Sequence, residues 1–569
     1  MDVSHTVPEE ELSLEQFIAL PTTVSFHTMY SERFRNFVRD RPYIRIGTIL
    51  ENTYVIAYTN QNRLAQVLLD LGERFMDAFA RMHTLLDTES LNDSGITAVQ
   101  QLSNLNLHGQ GVLLGFIDTG IDYTKPAFIY EDGTSKIQAI WDQTNNGNPP
   151  AQMHFGTLYE QSQINQALRA QNSQSIVPHQ DTQGHGTFLA SIAGSRDKSP
   201  YEGVAADAEL VVVKLKRASS YYIETTHAPA DNPNIYASTD IMLAIQFILN
   251  QAALLQRPVA ICIALGSNFG GHDGFSIPDD YLSLIANRQG VAICTAAGNE
   301  ALAGHHVSGK IIATGATEDI EVQVTGTAPS FSTYIWSDLW DTISVSITSP
   351  SGEVVRNIPF QTNSTYTKEL VLEKSTVSVG YFQLNSYLTN VTVVQPTVGI
   401  WRITVHGDRI ISGNFDAWLP ITGMISPNVV FLRQDPDCTI VEPATSIGVI
   451  TCGAYNSKTN SLYASSSRGP TRLPRIAPDF VAPGVDVMGL YPSGYGTMSG
   501  TSVASSIVTG AAALFLQWGI VDGHEKEMDC NRIRALLIAG CNRIENTTYP
   551  NNSWGYGMIN LLNSFRSIP

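Results

Sequence analysis

Buried-type apolar runs and helical periodicity take turns along most of the chain. Residues 112–117, 209–215, 259–265 and 291–295 are short, nearly unbroken apolar segments, the pattern of strands covered on both faces. Between them, residues 236–255 and 279–288 repeat apolar positions at helical spacing. This alternation predicts an α/β fold: a parallel sheet with helices on both faces. Residues 447–452 resume the sheet near the C-terminus, and an apolar helix is expected over 502–517.

Two stretches depart from that pattern. Residues 318–444 are rich in Ser, Thr and Val, with apolar and polar positions alternating as at 343–347 and 401–405. Turn signals at 349–352 and 406–408 break them up, which predicts an all-β sandwich or jelly roll inserted into the α/β unit. Near the N-terminus, residues 52–60 read as a strand. Leu64, Val67, Leu68, Leu71, Phe75, Phe79, Met82 and Leu85 then give a helical spacing from Arg63 to about Leu86. Residues 87–95 are polar and suit an exposed linker. The expected division is an N-terminal segment with linker over 1–92, the first part of the α/β domain over 93–317, the β insertion over 318–445 and the second part over 446–569.

Composition narrows the function classes. The chain has 569 residues, 43% hydrophobic and 15% charged, ample for a large packed core. A net charge of −18 with no basic stripe argues against nucleic acid as a partner. The first residues have neither a basic start nor an apolar run, so no secretory signal is read there. The stretch 507–521 is interrupted by Thr509, Gly510, Gln517 and Gly519, so no membrane span is expected. Six cysteines without CxxC spacing are read as reduced thiols, and the expected location is cytoplasmic. The acidic residues are dispersed and make no convincing calcium site; no metal or other cofactor is expected.

Three motifs carry the candidate chemistry. Asp118 ends a buried strand in Phe116-Ile-Asp-Thr-Gly120, at the edge where open α/β sheets bind ligands. His185 stands between two glycines just before an apolar helix, and Ser502 opens another in Gly500-Thr-Ser-Val-Ala504. A serine hydroxyl needs a neutral imidazole to take its proton, and the imidazole needs a carboxylate to hold its tautomer. Each motif alone has a plain reading: a turn aspartate, a capping histidine, a helix N-cap. Their chain order Asp…His…Ser is one of the known triad orders. Asn299, in Ala296-Ala-Gly-Asn-Glu300 after a buried strand, offers an amide donor for an oxyanion, against the plain reading of a turn residue.

With these motifs the sequence resembles the subtilases, serine peptidases of the subtilisin family. The matching stretches are 117–122, 184–194, 296–300, 466–470, 478–487, 496–504 and 554–560. The resemblance implies Asp118 as orienting carboxylate, His185 as general base then acid, Ser502 as nucleophile and Asn299 as oxyanion donor beside the Ser502 amide. It maps the substrate-binding strand and primary pocket onto Ala264, Leu265, Gly266, Ser267, Ala297 and Gly298. More narrowly, the chain looks like the clostridial germination-specific (Csp-type) subtilases, from the stretch 264–274, the β insertion and an N-terminal segment without a signal peptide. That likeness implies a prodomain that occupies the active cleft and is cut off by the enzyme itself, roughly within 84–97, and association with a spore. Protein or peptide substrates are the partners it implies, with no membrane. Ser506 departs from a usual proline, Phe188 from a common histidine and Ser267 from a pocket glycine. The first two predict altered packing and the third a narrower pocket.

Rival readings rest on less. Asp93-Ser-Gly95 and Asp118-Thr-Gly120 echo the paired motifs of aspartic proteases, but the first lies in a polar linker and the two stand too close for two lobes. His305 and His306 have no carboxylate or Cys cluster near them in the sequence, and solvated loop histidines are expected. A non-catalytic pseudoprotease that binds partner proteins is the alternative of another class; the presence of all three triad residues and Asn299 speaks for the enzyme.

Overall fold

The structure, a computed structural model, describes residues 9, 12–72, 75–85, 107–197 and 202–568. At its centre strands Ile450–Asn456, Val291–Ala296, Val259–Ile263, Leu113–Asp118, Glu209–Lys214 and Ile137–Asp142 lie side by side, each parallel to the next. Phe480–Pro483 adds to Ile450–Asn456 in parallel, and Thr157–Glu160 closes the opposite edge antiparallel. The strands 113–118, 259–263 and 291–296 are buried at every position, which is why their sequences run apolar without alternation until Asp118 and Thr295 near the C-terminal edge. Their register pairs Ile117 with Ile263 and Ile263 with Thr295, so Asp118 and the residues after Ile263 and Thr295 emerge at one edge of the sheet.

Helices His185–Gly194, Ser238–Leu255, Ile277–Ala286, Thr501–Leu516 and Cys530–Ala539 pack on this sheet. The segments Ser238–Leu255 and Thr501–Val521 are long and apolar enough to cross a membrane by length and composition, and both are mostly buried in the core. All six cysteines are free thiols, five of them buried.

The N-terminal unit is a three-stranded antiparallel sheet in the order Thr23–Met29, Tyr54–Asn60, Arg45–Leu50, with helices Glu32–Arg39 and Gln61–Leu71. The single helix expected from Arg63 to about Leu86 is not formed. It stops at Gly72, whose φ of +91° is left-handed, and Met82–Leu85 is a strand. Phe79 and Met82 fit the helical spacing because they are buried, in a cluster that joins Leu64, Val67 and Leu68 of their own unit to Tyr222, Ile235, Ala237 and Met424 of the main body.

The insertion is a sandwich of two antiparallel sheets. One runs His306–Lys310, Asn414–Trp418, Ser330–Ser337, Tyr387–Val394, Ser375–Gln383, Ser364–Leu370; the other runs Val354–Ile358, Thr342–Thr348, Gly399–Arg409, Thr317–Val324, Val429–Phe431. Alternate residues such as Val322, Ile335, Val345, Val391, Trp401 and Ile403 meet in its separate core. Its first strand, at His306, begins ahead of residue 318. Only His306 of that strand is buried, so the segment carries too little alternation to read as sandwich.

Candidate active site

The last residue of the central strand Leu113–Asp118 and the first residue of helix His185–Gly194 touch. His185 Nδ1 lies 2.8 Å from each oxygen of Asp118. A carboxylate can only accept, so Nδ1 carries the proton and Nε2 is left as the basic nitrogen. Both side chains are almost wholly buried. Asp118 Oδ1 also accepts from the Thr119 amide at 2.7 Å, which fixes the carboxylate's plane. Gly186 has to be glycine: a Cβ there would come within 2.2 Å of the Gly120 carbonyl oxygen and 3.1 Å of Asp118 Cβ.

Asp181, which the motifs do not single out, ties the two loops together. Its Oδ1 accepts from Thr119 Oγ1 at 2.8 Å and from the Gly184 amide at 2.7 Å. Its Oδ2 accepts from the Thr187 amide and Oγ1 at 2.8 and 2.6 Å. Thr119 Oγ1 in turn accepts from the Gly186 amide at 3.0 Å. A carboxylate four residues before His185 and three before a helix's first N–H groups was the sequence signal, an N-terminal cap in effect.

Ser502 is the second residue of helix Thr501–Leu516, where the backbone N–H groups of the first turn have no partner within the helix. Asn299, just beyond strand Val291–Ala296, reaches that turn. Its Oδ1 accepts from the Thr501 amide at 3.2 Å and from Thr501 Oγ1 at 3.1 Å. A backbone N–H can only donate, so the amide's orientation is settled and Nδ2 is its donor end. Thr501 Oγ1 also accepts from the Gly298 amide at 3.2 Å, joining the Asn299 loop to the residue before Ser502. The Ser502 hydroxyl is fully buried and makes no hydrogen bond to any described residue. In this state the Asp118–His185 contact is formed and a Ser502–His185 bond is not.

The predicted groove residues form one wall of a slot that is filled. Leu265–Gly266 is a short strand paired antiparallel with Met82–Leu85, with Leu265 opposite Leu85 and Gly266 opposite Thr84. On its other side Met82–Leu85 pairs antiparallel with Tyr236–Ala237. Ala264 and Ala297 are buried, and Gly298 sits at φ +111° with room for no Cβ between Val441 and Ser467. Ser267 turns its hydroxyl to its own loop, accepting from the Phe269 amide at 3.1 Å, while its backbone exchanges hydrogen bonds with Glu442. Phe188 is buried against Tyr491, ring centroids 4.7 Å apart, over Gly489. The linker Asp87–Gly95, with the aspartic motif at Asp93, and nearly all of the span 84–97 lie outside the described residues.

The strand in the slot is held by buried polar contacts that no motif announced. Arg81, 3% exposed, pairs with Glu442 and with Asp77. Burial pulls the guanidinium's pKa down, but the two carboxylates outweigh it and hold Arg81 above its ordinary value. The Arg81 amide donates to Ser238 Oγ at 2.9 Å, and the Ser238 amide to the Arg81 carbonyl at 2.7 Å. His27 Nε2 lies 3.2 Å from the same Ser238 Oγ. Burial lowers His27 to about 3 and His83 to about 4, and the Arg81 charge adds to both shifts. Apart from Asp77, four residues before Arg81, these partners lie far apart in sequence and leave no local pattern to read.

His305 and His306 are not solvated loop residues. Both are buried; His305 Nδ1 lies 2.7 Å from Glu300, and His306 stacks on Trp418. The insertion, folded back over the Asn299 loop, covers them.

The model of the subtilase family matches residues 109–389 and 412–557. The Clostridium perfringens CspB protease superposes with a TM-score of 0.74 at 31% identity, covering 83% of this chain and 97% of that one. Serine protease AprX of Bacillus subtilis is 33% identical over 154 residues, 23% of this chain and 33% of that protein. Subtilisin-like protease SBT1.9 of Arabidopsis thaliana is 23% identical over 511 residues, 78% of this chain and 61% of that protein. The chain thus spans between a third and about three-fifths of these two curated relatives.

Proposed function

The chain belongs to the subtilase family, and on that premise we propose that it is a serine endopeptidase held in a resting, prodomain-occupied state. One observation carries the reading. The buried Asp118–His185 contact lies at the same sheet edge as Ser502 and Asn299, and the strand Met82–Leu85 fills the slot beside them as a substrate backbone would.

The chemistry follows from the atoms present. Ser502 Oγ attacks a peptide carbonyl as its proton passes to His185 Nε2, and Asp118 stabilises the imidazolium through Nδ1. The oxyanion is met by Asn299 Nδ2 and the Ser502 amide at the helix N-terminus. His185 gives its proton to the leaving amine, an acyl-enzyme remains, and water deprotonated by His185 hydrolyses it. The missing Ser502–His185 bond belongs to the resting state, since catalytic hydrogen bonds often tighten only with substrate in place. Residues 1–85 act as the prodomain: Arg81 and the strand after it lock it into the groove, and the enzyme cuts its own chain beyond Leu85.

Wild type and Ser502→Ala, purified and compared on a denaturing gel, test this directly. Wild type should lose the N-terminal segment and the variant should keep it. Equal migration would favour the rival reading, a non-catalytic subtilase fold that binds partner proteins.

A further inference from the structure

We propose that His306, Asp416 and Cys438 form a binding site for one zinc-like divalent cation, at the seam where the β sandwich joins the sheet domain. His306 lies on strand His306–Lys310 and Asp416 on its antiparallel neighbour Asn414–Trp418, where Ser308 faces Asp416 and His306 faces Trp418. The two are therefore diagonal neighbours on one face of the ladder. Cys438 arrives from the segment that returns to the sheet domain, its amide donating to the Gly469 carbonyl at 3.1 Å. The candidate ligand atoms of the three lie within 4.8 Å of one another. With bonds of about 2.0 Å to nitrogen or oxygen and about 2.3 Å to sulfur, a tetrahedral ion closes that triangle by an inward shift of about 1 Å.

The orientation of His306 points to a ligand. Its Nδ1 lies 3.2 Å from the Asp435 carbonyl, which can only accept, so Nδ1 carries a proton. Nε2 faces Asp416 Oδ1 at 3.3 Å. In the neutral ring a lone pair there meets a carboxylate, and either a second proton or a cation must lie between them. Cys438 supplies the soft ligand that favours the cation. It is 8% exposed with φ at +56°, a conformation non-glycine residues avoid, and Trp418 Nε1 donates to its carbonyl at 3.2 Å. A backbone carbonyl accepting from the other ring nitrogen is the outer support that ligating histidines use, and Trp418 stacks on the ring.

Charge also balances. One thiolate, one carboxylate and a neutral imidazole compensate a 2+ ion, and binding releases the thiol proton to solvent with no change of oxidation state. The nearby Arg472 has its own partners in Asp273 at 2.9 Å and Asp338 at 3.5 Å. Asp416, its side chain 19% exposed, gives the ion a way in and leaves the fourth position to water.

Cobalt(II) is the probe. Tag-free full-length protein, dialysed against chelator, should take up one equivalent of Co²⁺ with a thiolate-to-cobalt absorption band that Zn²⁺ abolishes. Cys438→Ser should lose the band, and Asp416→Asn should weaken Co²⁺ affinity at least about tenfold with its circular dichroism unchanged. Should Cys438→Ser fail to fold, Asp416→Asn decides. Absence of the band in wild type means an imidazolium–carboxylate pair only and overturns the proposal. So does a band that survives in Cys438→Ser, or an unaltered affinity in Asp416→Asn.

Discussion

Ser506 Oγ donates to the Leu189 carbonyl at 2.7 Å. Each residue lies four positions, about one helical turn, beyond a member of the proposed triad, Ser506 after Ser502 and Leu189 after His185. One buried hydrogen bond therefore braces the helix that carries Ser502 against the helix that carries His185. The Ser506 hydroxyl places a donor between the two helices. Ser506→Ala should cost about 1 kcal/mol of stability. It should lower kcat by up to about tenfold with KM nearly unchanged, because misplacing the pair weakens the chemical step more than binding. Steady-state kinetics beside a thermal melt separate the two effects; an unchanged kcat would remove Ser506 from the positioning role.

Ser502→Ala and His185→Ala should each lower kcat by on the order of 10⁶-fold, and the double variant by little more, since triad members act as a unit. The variants, which keep the N-terminal segment, are first cut in trans by an unrelated protease that is then inactivated, and assays on a peptide substrate give the numbers. Losses that multiply would contradict the shared mechanism.

Asn299→Ala should reduce kcat by about 10²–10³-fold and leave KM close to wild type, because the Asn299 amide donor is needed by the oxyanion rather than by bound substrate. A change confined to KM would instead make Asn299 a binding residue.

Arg81→Met leaves Glu442 buried beside Asp279 without its cation, and breaking such a pair costs about 3–5 kcal/mol. The processed N-terminal segment should then separate from the main body on gel filtration under conditions where wild type co-elutes. Glu442→Leu added to Arg81→Met should restore part of the association. Co-elution of the single variant would show that the pair does not hold the segment.

Acid should release the same segment. His27 and His83 are held at about 3 and about 4 when docked, below their ordinary 6.5, because burial opposes the charged form. The undocked histidines therefore take up protons first. Docking is strongest above about pH 6.5 and weakens as pH falls toward about 4, by up to tenfold per unit for each histidine. Gel filtration of the processed complex across that window measures the slope, and the double variant His27→Gln/His83→Gln should flatten it. A complex equally tight across the window would argue against histidine control.

The sheet was legible because a strand covered on both faces runs apolar without alternation, as residues 113–117 and Val259–Ile263 do. The triad candidates were legible because a strand-end aspartate, a glycine-flanked histidine and a helix-opening serine each need their neighbours in the chain. The strand Met82–Leu85 was not: its apolar spacing records burial and cannot say which surface does the burying, and here it is Tyr236–Ala237 and Leu265–Gly266, far along the chain.

What the sequence by itself determined was the set of local elements and the chemical groups they carry, since periodicity and turn chemistry act over a few residues. The tertiary structure alone decided which distant groups meet: Arg81 with Glu442, Asp181 with Thr119, His306 with Asp416 and Cys438. Those pairings depend on chain crossings that close long loops, and closure is set by the packing of whole layers, which no short stretch of residues encodes.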